Sequence, residues 1–161
     1  MRGTMKAADK KNVIKVLLDV YAAEIGAIGI YMDQHNKCSA MGYEKLAERL
    51  KKDAIDEMKH SEQLANRILF LGGVVANQKH MIPDEKQMEI TDMIKMNIDI
   101  EAEAVQRLNE GITTCFSKGD NGSRLLLEEI LKSEEVHLDD LKTIYENIEK
   151  YGDEYIVEHL I

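Results

Sequence analysis

One pattern of glutamate and histidine runs through this chain twice at the same spacing. Glu24 is followed 33 residues later by Glu57, which opens a Glu-x-x-His step ending at His60. Glu101 is followed 33 residues later by Glu134, which opens a second such step ending at His137. No other histidine has a glutamate three residues before it. Residues three apart share a helix face, so each step aims one carboxylate and one imidazole at a common point. A single step of this kind is common on solvated helices. Two of them, each with a glutamate at the matching upstream distance, point to four carboxylates and two imidazoles converging inside a helical bundle. That donor set, hard oxygens with one imidazole per metal, suits two iron or manganese ions.

Composition agrees with an all-α chain. One proline, 10 glycines, 5% aromatics and 32% charged residues in 161 favour helices over sheet. The length predicts one domain, residues 1–161, with a sizeable core. No apolar run approaches the ~20 residues of a membrane span, and Met1 to Lys11 lacks the apolar segment of a signal peptide. Cys38 and Cys115 form no Cys-x-x-Cys, so nothing points to a zinc knuckle, a rubredoxin module or a disulfide framework. The expected location is cytoplasmic. A net charge of −9 argues against nucleic acid, whose phosphates demand clustered lysine and arginine. Such an acidic surface is either simply solvated or draws cations inward, and charge alone does not choose.

Breaks in the sequence predict four long helices and a short fifth. The first runs from Asp9 to Asn36, with Val13, Ile14, Val16, Leu17, Val20 and Tyr21 at helical spacing, and Cys38 to Gly42 ends it. The second runs from Tyr43 to Leu71 and stops at Gly72-Gly73. Pro83-Asp84-Glu85 opens the third, which continues to Ser117, and Lys118-Gly119-Asp120-Asn121-Gly122 is a turn. The fourth spans Ser123 to Tyr151, and Gly152 leaves Asp153 to Ile161 for the fifth.

Two antiparallel helices bring residues level when they lie equally far from the turn. Glu24 and Glu57 are centred between Ala40 and Met41; Glu101 and Glu134 are centred between Ser117 and Lys118. Each hairpin therefore carries its three candidate ligands at one height, and the repeat becomes a pseudo-twofold site. The linker from Gly72 to Ile82 reaches about 36 Å when extended, close to the ~43 Å of a 29-residue helix. It is long enough to cross the bundle, but the mid-helix ligands stay level in either topology.

The chain also resembles a known family. Ala54-Ile55-Asp56-Glu57-Met58-Lys59-His60, followed by Arg67-Ile68-Leu69-Phe70-Leu71-Gly72, resembles the second helix of the bacterioferritins. Glu134-Glu135-Val136-His137 resembles their fourth-helix signature, and Tyr151-Gly152-Asp153-Glu154-Tyr155 the entry to their fifth helix. The likeness covers nearly the whole chain. It implies a ferritin-like four-helix bundle with a long crossover between the second and third helices, assembling through dimers into a 24-subunit shell. It implies two iron ions per subunit on Glu24, Glu57, His60, Glu101, Glu134 and His137. Glu57 and Glu134 would bridge the metals, Glu24 and Glu101 would be terminal, and each histidine would bind one iron. The implied activity is a ferroxidase that oxidises Fe(II) with O2 or peroxide and deposits ferric mineral, with a ferredoxin-type donor releasing the iron.

Residues around the six follow the same logic. Tyr31 lies seven residues after Glu24, on nearly the same face. It is either a core tyrosine or a hydrogen-bond partner of a ligand carboxylate, and the resemblance implies an electron-supplying role. Asn97, one turn before Glu101, is a candidate partner for the second nitrogen of His60. Met58 sits ~100° around its helix from Glu57 and ~160° from His60, so it points out of the bundle. The resemblance implies that it ligates haem, either b-type or iron coproporphyrin, paired with its mate across a twofold dimer interface; the alternative is a flexible interface methionine. Gly26 and Gly29 either admit a close partner or are simply tolerated. Met88, Met93 and Met96 read as packing, Cys38 and Cys115 as passive thiols, and His35, His80 and His159 as exposed residues without partner spacing. Lys52 departs from the family, some members of which place a histidine there on an iron route behind the site. Two other readings remain: a di-iron peroxidase related to the rubrerythrins, acting without storage, and a metal-free helical interaction bundle.

Overall fold

The computed structural model describes residues 5–75 and 88–161. It contains α1 (Ala7–Ala40), α2 (Glu44–Phe70), α3 (Ile90–Ser117), α4 (Asn121–Tyr151) and α5 (Asp153–His159). The helices are those expected, with several ends shifted by one or two residues and the end of α1 and the start of α3 by more. α1 runs on through Ala40 because Cys38 lies on its buried stripe. It stops where Gly42 takes φ +86°, and the Tyr43 N–H returns to the Cys38 carbonyl at 2.9 Å. α4 begins at Asn121 because Asp120 caps it, accepting a hydrogen bond from the Ser123 backbone N–H at 3.1 Å.

The third start is a larger correction. Pro83-Asp84-Glu85 lies outside the described residues, but Met88 and Glu89 are not helical, and Glu89 is extended at φ −65°, ψ 150°. α3 begins where Ile90, Met93 and Ile94 supply its first buried turn. Tertiary packing of an apolar face, more than terminal residue chemistry, decides where such a helix becomes stable.

The core divides into two apolar clusters. One joins Cys38 at the end of α1, Leu46 and Leu50 near the start of α2, Met93 and Ile94 near the start of α3, and Leu141 and Ile144 in the second half of α4. Met88 and Met96 pack against it, as expected of them. The other joins Val13 and Leu17 early in α1, Leu64 and Ile68 late in α2, Leu108 and Cys115 late in α3, and Leu127 and Ile130 early in α4. α2 therefore ends beside the cluster that holds the end of α3, whereas α3 begins in the other cluster, at the opposite end of the bundle. That is the crossover topology, which spacing alone had left undecided. Residues 71–89 can reach about 60 Å, comfortably more than the ~40 Å length of α2.

Close packing holds the far end. A Cβ on Gly111 of α3 would lie 2.9 Å from Val16 Cγ1 and 3.0 Å from Leu127 Cδ1, so α1, α3 and α4 meet there without room for a methyl group. Arg67 of α2 donates to Asp120 at 2.6 Å and to Ser123 at 2.9 Å, tying α2 to the α4 cap. At the near end, α5 folds back onto α2: the Leu46 N–H donates to the Leu160 carbonyl at 3.2 Å, and Leu160 is buried. No helix of the described residues is long and apolar enough to cross a membrane.

Candidate metal centre

Between the two apolar clusters lies a polar waist. On α2 the buried stripe runs Leu46, Leu50, Asp53, Glu57, His60, Leu64, Ile68, so the glutamate and histidine occupy positions that apolar side chains fill above and below. Glu24 interrupts the stripe of α1 in the same way, Glu101 that of α3, and Glu134 and His137 that of α4. All six predicted residues are buried. Ionised groups are costly to remove from water unless paired or bound to a metal.

The six form two overlapping groups of four. Glu24, Glu57, His60 and Glu134 each bring one donor atom within 4.8 Å of the others, and so do Glu57, Glu101, Glu134 and His137. Glu57 and Glu134 belong to both. His60 Nδ1 stands 3.2 Å from Glu24 and Glu57 oxygens and 2.9 Å from Glu134 Oε1. His137 Nδ1 stands 3.0 Å from Glu134 Oε2 and 3.3 Å from Glu57 Oε1. Despite these contacts, Glu57 Oε1 and Glu134 Oε1 are buried and accept no aligned hydrogen bond. Two shared carboxylates with orphaned oxygens are what a pair of divalent cations would satisfy, so the residues fit two metal ions.

Electrostatics carry the same message. Burial, reinforced by Glu57, raises the Glu24 carboxyl to about 8. Burial and the charges of Glu134 and Glu57 raise Glu101 to about 10. For the imidazoles burial alone would lower the pKa, but the surrounding carboxylates overcome it, pushing His60 up to about 12 and His137 up to about 11. Burial also works to raise Glu134, yet hydrogen bonds from His137 and His60 hold it below its ordinary value. Without metal, protons supply the positive charge this cluster needs.

The neighbouring expectations divide. Tyr31 is fully buried and its hydroxyl donates to Glu101 Oε1, so it does reach one of the four carboxylates. Burial and the Glu101 charge push its phenol well above its usual range. Asn97 does not serve His60. Its amide pairs reciprocally with Gln34, at 2.9 and 2.7 Å, in a buried rung between α1 and α3. An amide offers both a donor and an acceptor, and the amide of Gln34 matches both.

The outward nitrogen of His137 instead faces Asp53 at 3.8 Å and Asp56 at 3.7 Å. Sequence reading missed Asp53, Asp56 and Gln34. The signal was present for Asp53 and Gln34, which fall one turn from Glu57 and Tyr31 on stripes otherwise reserved for core residues.

Of the remaining residues, Met58 is 53% exposed, beside the likewise exposed Ile55 one turn earlier. Lys52 is exposed and lies 3.7 Å from Asp56. Both cysteines are free and buried, and burial raises each thiol to about 11, as suits passive core groups. His35 is half-buried and its Nδ1 lies 2.8 Å from the Ala47 carbonyl. His159 is exposed against Tyr155, and His80 lies outside the described residues. Gly26 lines a cavity of about 390 Å³ that opens between α1 and α3 and includes Glu24, Glu57, Glu101 and Glu134 in its wall.

Comparison with known proteins places this architecture. Residues 14–151 match the family model of the ferritin-like domain. The chain is 34% identical over 150 residues to a bacterioferritin of Streptomyces coelicolor, covering 93% of this chain and 89% of that protein. It is 34% identical to a bacterioferritin of Desulfovibrio desulfuricans, covering 92% and 83% respectively. A bacterioferritin of Brucella melitensis is 30% identical over 89% of this chain and 88% of its own length. With the repeat, the crossover bundle and near full-length likeness in agreement, this chain belongs to the ferritin-like family and, within it, to the bacterioferritins.

Proposed function

We propose that the protein stores and detoxifies iron as a ferroxidase, with residues 1–161 forming one ferritin-like domain. The observation that carries this reading is the pair of overlapping four-residue groups sharing Glu57 and Glu134. Fe(II) is the substrate. Glu24 and His60 hold one ion and Glu101 and His137 the other, while Glu57 and Glu134 contact both. Carboxylates are hard donors that tolerate Fe(II) and Fe(III) alike, and one imidazole per ion leaves room for the oxidant. Two ions losing one electron each reduce one peroxide, with two protons, to two waters; with O2, the same electrons and protons give peroxide. Ferric product then hydrolyses to mineral inside a hollow assembly.

The surrounding side chains keep this chemistry in place. Tyr31 donates its proton toward Glu101 and fixes that carboxylate, and its phenol is positioned to supply an electron. Asp53 and Asp56 face the outer nitrogen of His137 and favour the tautomer whose Nδ1 is free for metal. Binding of two dications displaces the protons held by the cluster.

The assembly is a 24-subunit shell built from dimers, consistent with the bacterioferritin relatives. Met58 would hold haem together with the Met58 of a second copy, its exposed thioether beside Ile55 being a soft donor in an apolar setting. Bound haem would supply a one-electron relay, fed by a ferredoxin-type donor, for returning stored iron to Fe(II). The two free cysteines fit a cytoplasmic location.

The test is aerobic loading with Fe(II) far beyond two per chain, followed by size exclusion with iron and protein read together. Large excess iron co-eluting with a shell-sized particle is the expected result. About two irons per chain on a small oligomer would replace storage with a rubrerythrin-like peroxidase, and no bound iron would leave a helical interaction bundle.

A further inference from the structure

On the near-end side of the metal centre, a column of side-chain links ties α1 to α3. Tyr31 donates to Glu101 Oε1, Gln34 and Asn97 exchange two amide hydrogen bonds at 2.9 and 2.7 Å, and Cys38 Sγ lies 3.6 Å from Met93 Sδ. The two helices run antiparallel, so one turn forward along α1 meets one turn back along α3. The amide rung therefore stands directly beside the Tyr31–Glu101 bond. On the other side of that bond the seam opens into the cavity, where α1 presents the small residues Ala23, Gly26 and Ala27. Packing there does little to hold α1 against α3.

Of these links, the rung is the one that demands a single alignment. A thiol is a weak donor and a thioether an adaptable partner, so the Cys38–Met93 contact tolerates displacement. The Tyr31 phenol has one proton to donate and more than one carboxylate near it, since the charges of Glu57 and Asp53 act on it as well as that of Glu101. The amide pair is stricter. Two donors and two acceptors must meet at once, and both bonds misalign together when α1 slides or turns against α3. Gln34 and Asn97 are 0% and 1% exposed, so water does not replace a lost bond. Stability alone does not call for amides here, because two apolar side chains of similar shape would hold the helices about as well. What the apolar pair would lack is direction.

We propose that Gln34 and Asn97 are positioning residues for the metal centre: their paired amides fix the α1–α3 register that sets the Tyr31 phenol on Glu101, and so tune the metal position completed by His137. The proposal rests on reading the six-residue cluster as a di-metal site. Glu101 and Tyr31 each lie one turn from the rung, whereas Glu24 lies ten residues from Gln34 and is held with Glu57 and His60 inside the other hairpin. Loosening the rung therefore acts on one metal position and largely spares the other. It acts through Tyr31, so removing the phenol hydroxyl first removes the effect of the rung. A pair of amides that merely stabilised the bundle would do neither.

The experiment titrates the whole protein with Co(II), read by absorbance at equilibrium, beside urea unfolding of the metal-free protein. The unaltered protein should bind two Co(II) per chain, and Glu57→Ala should abolish that endpoint. Gln34→Leu with Asn97→Leu should unfold near the unaltered midpoint yet bind one Co(II) about tenfold more weakly, the scale of a lost hydrogen bond to a charged group. Gln34→Met with Asn97→Leu, closer in shape to the amides, repeats the comparison with less risk to the fold. Exchanging the two residues, Gln34→Asn with Asn97→Gln, keeps a reciprocal amide pair and should restore most of the affinity. Tyr31→Phe added to the leucine pair should cost no more than either change alone, because both remove the same bond. Two unchanged affinities in the folded apolar pairs would overturn the proposal, and so would losses that add to those of Tyr31→Phe. A chain that binds no Co(II), with or without Glu57, would overturn the di-metal reading beneath it.

Discussion

Tyr31 and Glu101, on different helices and 70 residues apart in sequence, are joined by a hydrogen bond from the buried phenol to carboxylate oxygen Oε1. This bond holds only one of the two overlapping groups, the one completed by His137. A hydrogen bond to a charged group contributes about 1.5–3 kcal/mol, or roughly tenfold or more in affinity. Tyr31→Phe should therefore weaken one metal position about tenfold and leave the other unchanged. A biphasic Co(II) titration reads this directly; two unchanged affinities would reduce Tyr31 to packing.

Sharing makes the carboxylates unequal. Glu57 belongs to both groups, whereas Glu24 belongs only to the one completed by His60. Glu57→Ala should take the metal content of anaerobically loaded protein from two per chain to none, and Glu24→Ala from two to one. Elemental analysis after desalting distinguishes these outcomes from a uniform weakening.

The metal-free protein should lose stability as pH rises. Glu24 goes from 4.5 to about 8 and Glu101 from 4.5 to about 10, in both cases chiefly through burial. His60 and His137 rise from 6.5 to about 12 and about 11 because the carboxylates outweigh the opposing effect of burial. For all four the folded chain binds more protons than the unfolded chain above the unfolded pKa, so stability falls with rising pH there. The carboxyl contributions are full below about pH 4.5 and fade towards 8 and 10; the imidazole contributions are full below about 6.5 and fade towards 11 and 12. Glu134, whose pKa is lowered, acts the other way but only in acid. Urea unfolding of chelator-treated protein should show a lower midpoint at pH 8.5 than at pH 6. Added Co(II) should raise the midpoint more at pH 8.5, where fewer protons compete.

The Gln34–Asn97 rung should be costly to break and cheap to replace. Removing one amide leaves the other buried without a partner, at about 1–3 kcal/mol. Asn97→Leu alone should destabilise by that amount. Gln34→Leu with Asn97→Leu should recover most of the loss, giving a large coupling in a double-mutant cycle. Additive losses would mean that the two amides act separately.

The haem role proposed for Met58 is separable from iron oxidation. It lies next to Glu57 in sequence but 53% exposed, away from the centre. Met58→Leu should abolish the Soret band of protein expressed with haem supply, leave the rate of Fe(II) oxidation within about twofold, and slow reductive release of iron. A retained Soret band would exclude Met58 as the ligand.

The repeat made the six central residues legible because side chains that converge inside a bundle must sit on a helical period, and period survives in a linear sequence. Tyr31 was legible for the same reason. The crossover was not: both topologies keep mid-helix residues level, and only the grouping of Cys38 with Met93, and of Leu64 with Leu108, decides between them. The start of α3 was misplaced because proline and acidic residues signal a helix start only locally, while burial of Ile90 and Met93 sets the actual one. Asn97 found Gln34 instead of His60 because the α1–α3 register, which the sequence does not contain, brings those two amides level. Asp53 carried a signal, its place one turn before Glu57, but passed as one acidic residue among 30.

Each of the two four-residue groups takes three side chains from one hairpin and one from the other: Glu134 joins Glu24, Glu57 and His60, while Glu57 joins Glu101, Glu134 and His137. A metal in either position is therefore a rivet between the halves of the chain, independent of the backbone running from Phe70 to Ile90. A protein cut in that connection would lose its covalent tether but keep a coordinate one. Its two halves should then come apart in response to a chelator, and not to dilution alone, which makes the cargo of this bundle one of the bonds that hold it shut.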